Sequence, residues 1–87
     1  SLRKEIDRLD RDIMDLLQKR FSIAHQIGEL KKTRQIPPLD LNRKSEVLSN
    51  FKQHAFKFGI TQPFAEALFN LIHNESLTIQ KDLDVKP

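Results

Sequence analysis

The feature that most limits how this 87-residue chain can fold is a long, regularly spaced row of apolar side chains at its N-terminal end. The spacing alternates between four and three residues and then skips, as in the seam of a coiled coil; the row is Leu2, Ile6, Leu9, Ile13, Leu16, Ile23, Ile27 and Leu30. Pro37 and Pro38 stop it, because proline lacks the N–H that a helix needs. The sequence predicts a first helix from about Leu2 to about Arg34, ~50 Å long.

A helix of this length is too long for the rest of the chain to cover. A chain of 87 residues buries only ~60–65% of the surface that its unfolded form exposes, so a lone monomer would be marginally stable. The long amphipathic helix needs a partner, most simply a second copy of the same chain. We therefore expect a homodimer.

Glycine, proline and capping residues mark two further helices. Asp40 is a preferred N-cap, because its carboxylate accepts from free backbone N–H groups, so we expect a second helix to start there. Gly59 is typical of the residue that follows the C-terminal end of a helix, here the second one. Thr61 then caps a third helix with Pro63 in its first turn, and we expect this helix to end near Asp82.

These elements predict an all-α fold with three helices per chain. We expect one helical domain over residues 1–82 and a frayed tail over residues 83–87. The absence of Cys excludes disulfides and thiolate metal sites. No apolar run approaches the ~20 residues of a membrane span, and no signal-peptide pattern opens the chain, so we expect a cytoplasmic protein without a membrane partner. The net charge of +3 is too small to favour nucleic acid.

Arg20 is a charged residue on the apolar seam of the first helix. Its aliphatic stem can pack while the guanidinium reaches solvent. Alternatively, the guanidinium projects into a cleft and binds an anion, since an unpaired buried charge is costly. The sequence leaves both interpretations open. A carboxylate would be a well-matched partner, because the guanidinium fork binds both of its oxygens.

Arg3 and Lys31 flank this seam on the same side, four heptads apart. Along one helix they lie ~42 Å from each other, so they cannot share a small site within one chain. Each alone is typical of a solvated surface charge. In an antiparallel pair of long helices, however, Arg3 of one chain approaches Arg20 or Lys31 of the other, which leads to the hypothesis of a cationic pocket built from two chains.

Further polar residues interrupt the apolar faces of the second and third helices. Lys44 lies on the apolar stripe of the second helix, with Arg43 beside it. Ser76 and Gln80 are i, i+4 neighbours on the third helix and either line a polar pocket or lie at an exposed helix end. Such a pocket would hold cations and amides without an evident nucleophile. It suits a small dianion, or a reaction that needs only positioning and electrostatic stabilisation.

The histidines give no sign of a metal site. His25, His54 and His73 lie far apart in the sequence and form neither an HxxxH nor an HExxH pattern. We expect each of them to be at the surface or partly buried rather than a metal ligand.

Several short segments are typical, in their order and spacing, of one enzyme family. They are residues 2–7 with Leu9-Asp10, Lys19-Arg20, residues 28–31, residues 40–43, Leu68-Phe69 and residues 75–80. In these segments the chain resembles the all-helical chorismate mutases, small intertwined dimers of three-helix protomers. Each segment alone is weak, but the likeness runs from about Leu2 to Gln80, nearly the whole chain.

The resemblance implies a chorismate mutase, an isomerase of phenylalanine and tyrosine biosynthesis that converts chorismate to prephenate by a pericyclic (Claisen) rearrangement. It implies no cofactor, no metal and no covalent catalysis. By position, Arg20 and Arg3 of the partner chain would bind the two substrate carboxylates, and Ser76 would contact a carboxylate. Lys31 and Gln80 would donate to the ether oxygen.

The resemblance also implies that Asp40 meets the substrate hydroxyl and that Arg43 orients nearby groups. One position departs, because Lys44 stands where the family usually has a Glu that helps to hold the hydroxyl. The sequence leaves three placements of Lys44 open: binding a carboxylate, pairing with Asp40, or turning outward. Glu46 lies two residues further on, should face elsewhere, and is a poor substitute.

Three functions stay open at this point. The first is a chorismate mutase, either freestanding or fused to another shikimate-pathway enzyme domain. The second is an isochorismate pyruvate lyase on the same fold, for which Lys44 leaves room, whereas Asp40 favours the mutase. The third is a non-catalytic helical dimerisation or regulatory domain.

Overall fold

The fold is given by a computed structural model that describes residues 1–82. It contains three helices: α1 (Leu2–Thr33), α2 (Leu41–Lys57) and α3 (Gln62–Asp82). The prediction of an all-α chain with a long first helix is therefore confirmed for this part of the chain. The frayed tail predicted for residues 83–87 lies outside the described residues.

The first helix ends near Arg34, as predicted, but a left-handed residue stops it before the prolines do. Arg34 caps α1, and Gln35 follows with a φ of 57°. The N–H of Ile36 then donates to the carbonyl of Lys31 at 2.7 Å. This hydrogen bond satisfies a carbonyl at the end of the helix. The left-handed conformation that precedes it is one that a glycine usually adopts. It also turns the chain back along the end of α1, toward Pro38.

The ends of the other helices lie where the sequence predicts them. Asp40 is the N-cap of α2, and its side chain accepts from the N–H of Arg43 at 3.1 Å. After α2, Gly59 adopts a φ of 72°, and the N–H of Ile60 donates to the carbonyl of Ala55 at 2.9 Å. Helix α3 begins directly after Thr61, whose carbonyl accepts from the N–H of Ala65 at 3.1 Å.

Helix α3 holds the chain together by packing against both α1 and α2. Phe69 lies at the centre and is 1% exposed. Its ring meets Phe51 of α2 edge-on, with centroids 5.6 Å apart, and stacks on His73 at 5.3 Å. Ala24 of α1 and Ala55 of α2 are also buried. Because both neighbours pack on α3, its side chains are the ones that can meet residues from α1 and α2 at a single place.

The N-terminal half of α1 is uncovered. Residues 1–16 are all exposed, and the apolar seam among them includes Leu2 at 79% and Ile13 at 53% exposure. The chain measures 49 × 26 × 15 Å, so the helix reaches well past the small core that α2 and α3 form. A single copy of the chain therefore leaves most of the predicted seam in contact with water.

The left-handed turn after α2 gives a first prediction. We expect Gly59→Ala to lower the free energy of unfolding by about 1 kcal/mol, because a Cβ is strained at this φ of 72°. No atom lies within 4 Å of such a Cβ, so steric contact adds nothing. Urea denaturation at a fixed protein concentration measures the change. The matched control is Gly59→Asn, since Asn tolerates this conformation; an equal loss in both variants would contradict the explanation.

Candidate active site

A cavity of about 260 Å³ lies between α1, α3 and the start of α2. Most of the site residues predicted from the sequence line it: Arg20, Lys31, Asp40, Arg43, Lys44, Ser76 and Gln80. Four of the seven carry a positive charge and one carries a negative charge. The structure therefore brings together, in one chain, residues that lie up to 60 positions apart in the sequence.

Arg20 is half-buried at the wall of the cavity and has a neutral partner. Its Nη1 donates to the Oγ of Ser76 at 3.1 Å. Burial lowers the pKa of Arg20, and the nearby positive charge of Arg43 lowers it further. Among residues 1–81, no carboxylate lies within ion-pairing distance of the guanidinium. A half-buried cation without a carboxylate partner is stabilised when an anion binds beside it.

Lys31 reaches into the same cavity from one end of α1. Its Nζ donates to the carbonyl of Pro38 at 2.5 Å and to the Oε1 of Gln80 at 3.3 Å. An ammonium has three N–H groups, so one is left for a ligand. Because the oxygen of the Gln80 amide accepts from Lys31, its NH₂ group is also free to donate. Lys31 and Gln80 thus place two adjacent donors at one wall.

Ser76 and Gln80 are buried, at 8% and 9% exposure. The sequence left open whether they line a pocket or lie at an exposed helix end, and the structure has them in the cavity wall. Both side chains are fixed by hydrogen bonds to the cations of α1. Helix α3 therefore supplies neutral groups that hold Arg20 and Lys31 in place without cancelling their charge.

Asp40 and Arg43 sit where α2 begins. One oxygen of Asp40 caps the helix, by accepting from the N–H of Arg43. The guanidinium of Arg43 pairs with Glu46, which is exposed and does not line the cavity. The prediction that Glu46 faces elsewhere is confirmed. The charge of Arg43 is thus matched at the rim, whereas Asp40 keeps its second oxygen for another donor.

Lys44 faces the cavity and is half-buried. Of the placements that the sequence left open, the outward one is not what the structure shows, and within residues 1–82 Lys44 forms no ion pair with Asp40. Its charge acts across the cavity, because it helps to lower the pKa of His73 on α3. Lys44 is therefore available to an anionic or hydrogen-bond-accepting ligand.

His73 lines the cavity, and the sequence analysis did not select it. Its Nε2 is buried and has no hydrogen-bond partner within the described part of the chain. Burial lowers the pKa of His73, followed by the charges of Lys44 and then Arg20, so the imidazole is neutral near pH 7. His73 lies one turn before Ser76 and two turns before Gln80, and this spacing could have predicted that it shares their face of α3.

Arg3 does not reach this cavity within its own chain. It is exposed near the start of α1, ~26 Å along the helix axis from Arg20. This distance is too long for Arg3 and Arg20 of one chain to share a small site, and Arg3 lies still further from Lys31. The role of Arg3 in the site of a partner chain stays a prediction.

Comparison with known proteins agrees with the geometry. Residues 2–81 match the family described as chorismate mutase type II. The chain belongs to this family. The resemblance seen in the sequence is thereby confirmed, and membership in a family of isomerases supports the prediction that the chain is an enzyme.

The relatives of this member of the chorismate mutase family differ in the functions that their names state. It is 28% identical to the "T-protein" of Enterobacter agglomerans, over 99% of this chain and 23% of that protein. It is 28% identical to the "4-amino-4-deoxychorismate mutase" of Streptomyces pristinaespiralis, over 94% of this chain and 64% of that protein. It is 32% identical to the "bifunctional chorismate mutase/prephenate dehydratase" of Buchnera aphidicola subsp. Schizaphis graminum, over 95% of this chain and 22% of that protein. The chain spans less than two thirds of the length of each.

None of the helices within residues 1–82 has a stretch that is long and apolar enough to cross a membrane.

Proposed function

We propose that this chain is a chorismate mutase that rearranges chorismate to prephenate. The observation that carries the proposal is the cavity in which Arg20 and Lys31 are held by neutral partners and, among residues 1–81, have no carboxylate partner. A dianionic substrate supplies the missing negative charge. Family membership supports the same conclusion.

Binding begins with the carboxylates. Arg20 offers a guanidinium fork that can hold both oxygens of one carboxylate, and Ser76 fixes the fork by accepting from Nη1. The hydroxyl of Ser76 can itself donate to the same carboxylate. We propose that the second carboxylate is bound by Arg3 of the partner chain. Holding both carboxylates selects the folded conformer in which the two reacting carbons are close.

The rearrangement then needs only stabilisation of charge. One C–O bond of the ether breaks while one C–C bond forms, and negative charge develops on the ether oxygen as the bond lengthens. Lys31 and Gln80 are adjacent donors, and we propose that both donate to this oxygen. Because their interaction with it strengthens toward the transition state, they lower the barrier rather than only tighten binding.

We propose an intertwined homodimer as the working form. The exposed apolar seam of α1 supports it, since Leu2, Ile6, Leu9 and Ile13 are each more than half exposed in one chain. A second α1 packed along this seam buries these side chains and brings Arg3 toward the cavity of the other chain. Sedimentation at micromolar concentration tests the dimer; a stably folded monomer would contradict it.

A fusion to a further enzyme domain fits the bifunctional relative, of which this chain spans 22%. We propose such a fusion as one form in which the domain works, beside a freestanding form. The cytoplasmic location stays a prediction from the sequence.

Purified chain mixed with chorismate tests the function. We expect loss of chorismate with formation of an equal amount of prephenate, followed by absorbance and chromatography. No turnover at high enzyme concentration would contradict the proposal. Isochorismate is the matched second substrate, because Lys44 stands where the family resemblance leads one to expect a Glu; release of salicylate would support the isochorismate pyruvate lyase instead. Absence of both reactions would favour a non-catalytic domain.

A further inference from the structure

The charges that line the cavity do not balance. Arg43 is paired with Glu46 at the rim, whereas Arg20, Lys31 and Lys44 have no carboxylate partner among residues 1–81. Asp40 is the remaining anion that lines the cavity. The described lining residues of one chain therefore leave an excess of two positive charges, to which the proposed dimer adds the charge of Arg3 of the partner chain.

Lys44 adds one of these positive charges. A dicarboxylate with a neutral third group offsets two of them, whereas a dicarboxylate that also carries one ammonium group offsets only one. With Lys44 in place, that ammonium group meets a further positive charge inside the cavity, where charges interact more strongly than in bulk water. The residue at position 44 is therefore suited to distinguish ligands by a single charge.

The position of Lys44 supports this role. It lies in the first turn of α2, where its N–H donates to the carbonyl of Asp40 at 2.9 Å, and its side chain lines the cavity. Its charge reaches across to His73 on α3 and, together with Arg20 on α1, disfavours a further positive charge there. Helices α1 and α2 thus place positive charges around this space that oppose an added cation, and Asp40 is the one carboxylate among its described lining residues.

We propose that Lys44 makes the cavity selective for a dicarboxylate with a neutral hydroxyl group over the counterpart with an amino group in its place. This inference rests on the proposed function. The two substrates are chorismate and 4-amino-4-deoxychorismate, the second of which appears in the name of a relative. A hydroxyl can accept from the ammonium of Lys44, whereas a protonated amine has no lone pair to offer and repels it.

The ratio of kcat/KM for the two substrates tests the proposal. We expect the unaltered chain to favour chorismate by about tenfold or more, and Lys44→Glu to lower that ratio by about tenfold or more. Lys44→Met should give an intermediate ratio, because it removes the charge and keeps most of the stem. The control is Lys57→Glu, which makes the same charge change on α2 at an exposed residue away from the cavity. An unchanged ratio in Lys44→Glu would overturn the proposal.

Equilibrium binding separates this proposal from the proposed function. If neither substrate is turned over, the mutase proposal fails, but calorimetry with the same two compounds still measures their Kd values. A tighter Kd for chorismate that Lys44→Glu abolishes supports the selectivity on its own. Equal Kd values for the two compounds in the unaltered chain would overturn it.

The titration of His73 gives a readout that does not depend on substrate. Arg20, Arg43, Lys44 and Asp40 line the same cavity as this imidazole, and Lys44 helps to hold its pKa down. In NMR, with the signal assigned by a His73→Gln variant, Lys44→Met should raise the pKa of His73. An unchanged pKa would place the charge of Lys44 outside the cavity and overturn the proposal.

Discussion

Replacing Lys31 by alanine is expected to lower kcat by ~10²-fold or more, as for loss of one donor to a developing oxyanion. The side chain donates to Pro38 and Gln80 and keeps one further N–H. In the proposed reaction this N–H stabilises the ether oxygen only as charge develops on it. The loss should therefore appear mainly in kcat, with a smaller change in KM.

The control for Lys31 is Lys19→Ala on the same helix. Lys19 pairs with Asp15 at 2.9 Å, and its side chain is 65% exposed, so its removal should leave kcat unchanged. Lys31→Met keeps the packing of the stem and should be as slow as Lys31→Ala, which separates loss of the donor from loss of structure. A decrease of less than about threefold in both Lys31 variants would mean that Lys31 is a flanking charge and not the donor.

The fold followed from the sequence because its signals are local. The apolar seam of α1, the Asp40 cap and the left-handed Gly59 each depend on neighbours within a few residues. The end of α1 near Arg34 was predicted from Pro37 and Pro38, whereas the residue that ends the helix is the left-handed Gln35 rather than a glycine. Sequence rules give such a role to glycine, whereas here the hydrogen bond from Ile36 to Lys31 sets the helix end.

The site was predictable only in part, because its residues meet through packing on α3. Arg20 was predicted because it is a charged residue that interrupts an apolar row. Ser76 and Gln80 were predicted because they are polar residues that continue an apolar face. The sequence did not predict the direction of the Lys44 side chain. A long aliphatic stem on an apolar stripe allows the ammonium to point either into the cavity or toward solvent. His73 was tested only as a metal ligand; its buried Nε2 results from stacking on Phe69, which a sequence does not show.

Arg3→Ala and Arg20→Ala are each expected to lower activity to below ~1% of the unaltered chain, because each removes a binding group for one carboxylate. When the two variant chains are coexpressed, half of the dimers should contain one chain of each kind. In such a dimer, one site combines an intact Arg20 with an intact Arg3 from the other chain. The mixture should therefore recover about a quarter of the unaltered activity.

This recovery requires that Arg3 crosses to the other chain. The distance along α1, ~26 Å, keeps Arg3 from the cavity of its own chain. If Arg3 instead acted only by stabilising its own helix, a mixed dimer would have no intact site and no activity would return.

Arg11→Ala is the matched control, since Arg11 lies on the face of α1 opposite the seam and is exposed. When Arg11→Ala is coexpressed with Arg20→Ala, each mixed dimer should contain one intact site. The total activity should be the sum of the activity of these mixed dimers and that of the dimers with two Arg11→Ala chains. Coexpression of Arg3→Ala with Arg20→Ala that shows no gain over either variant alone would contradict the shared site.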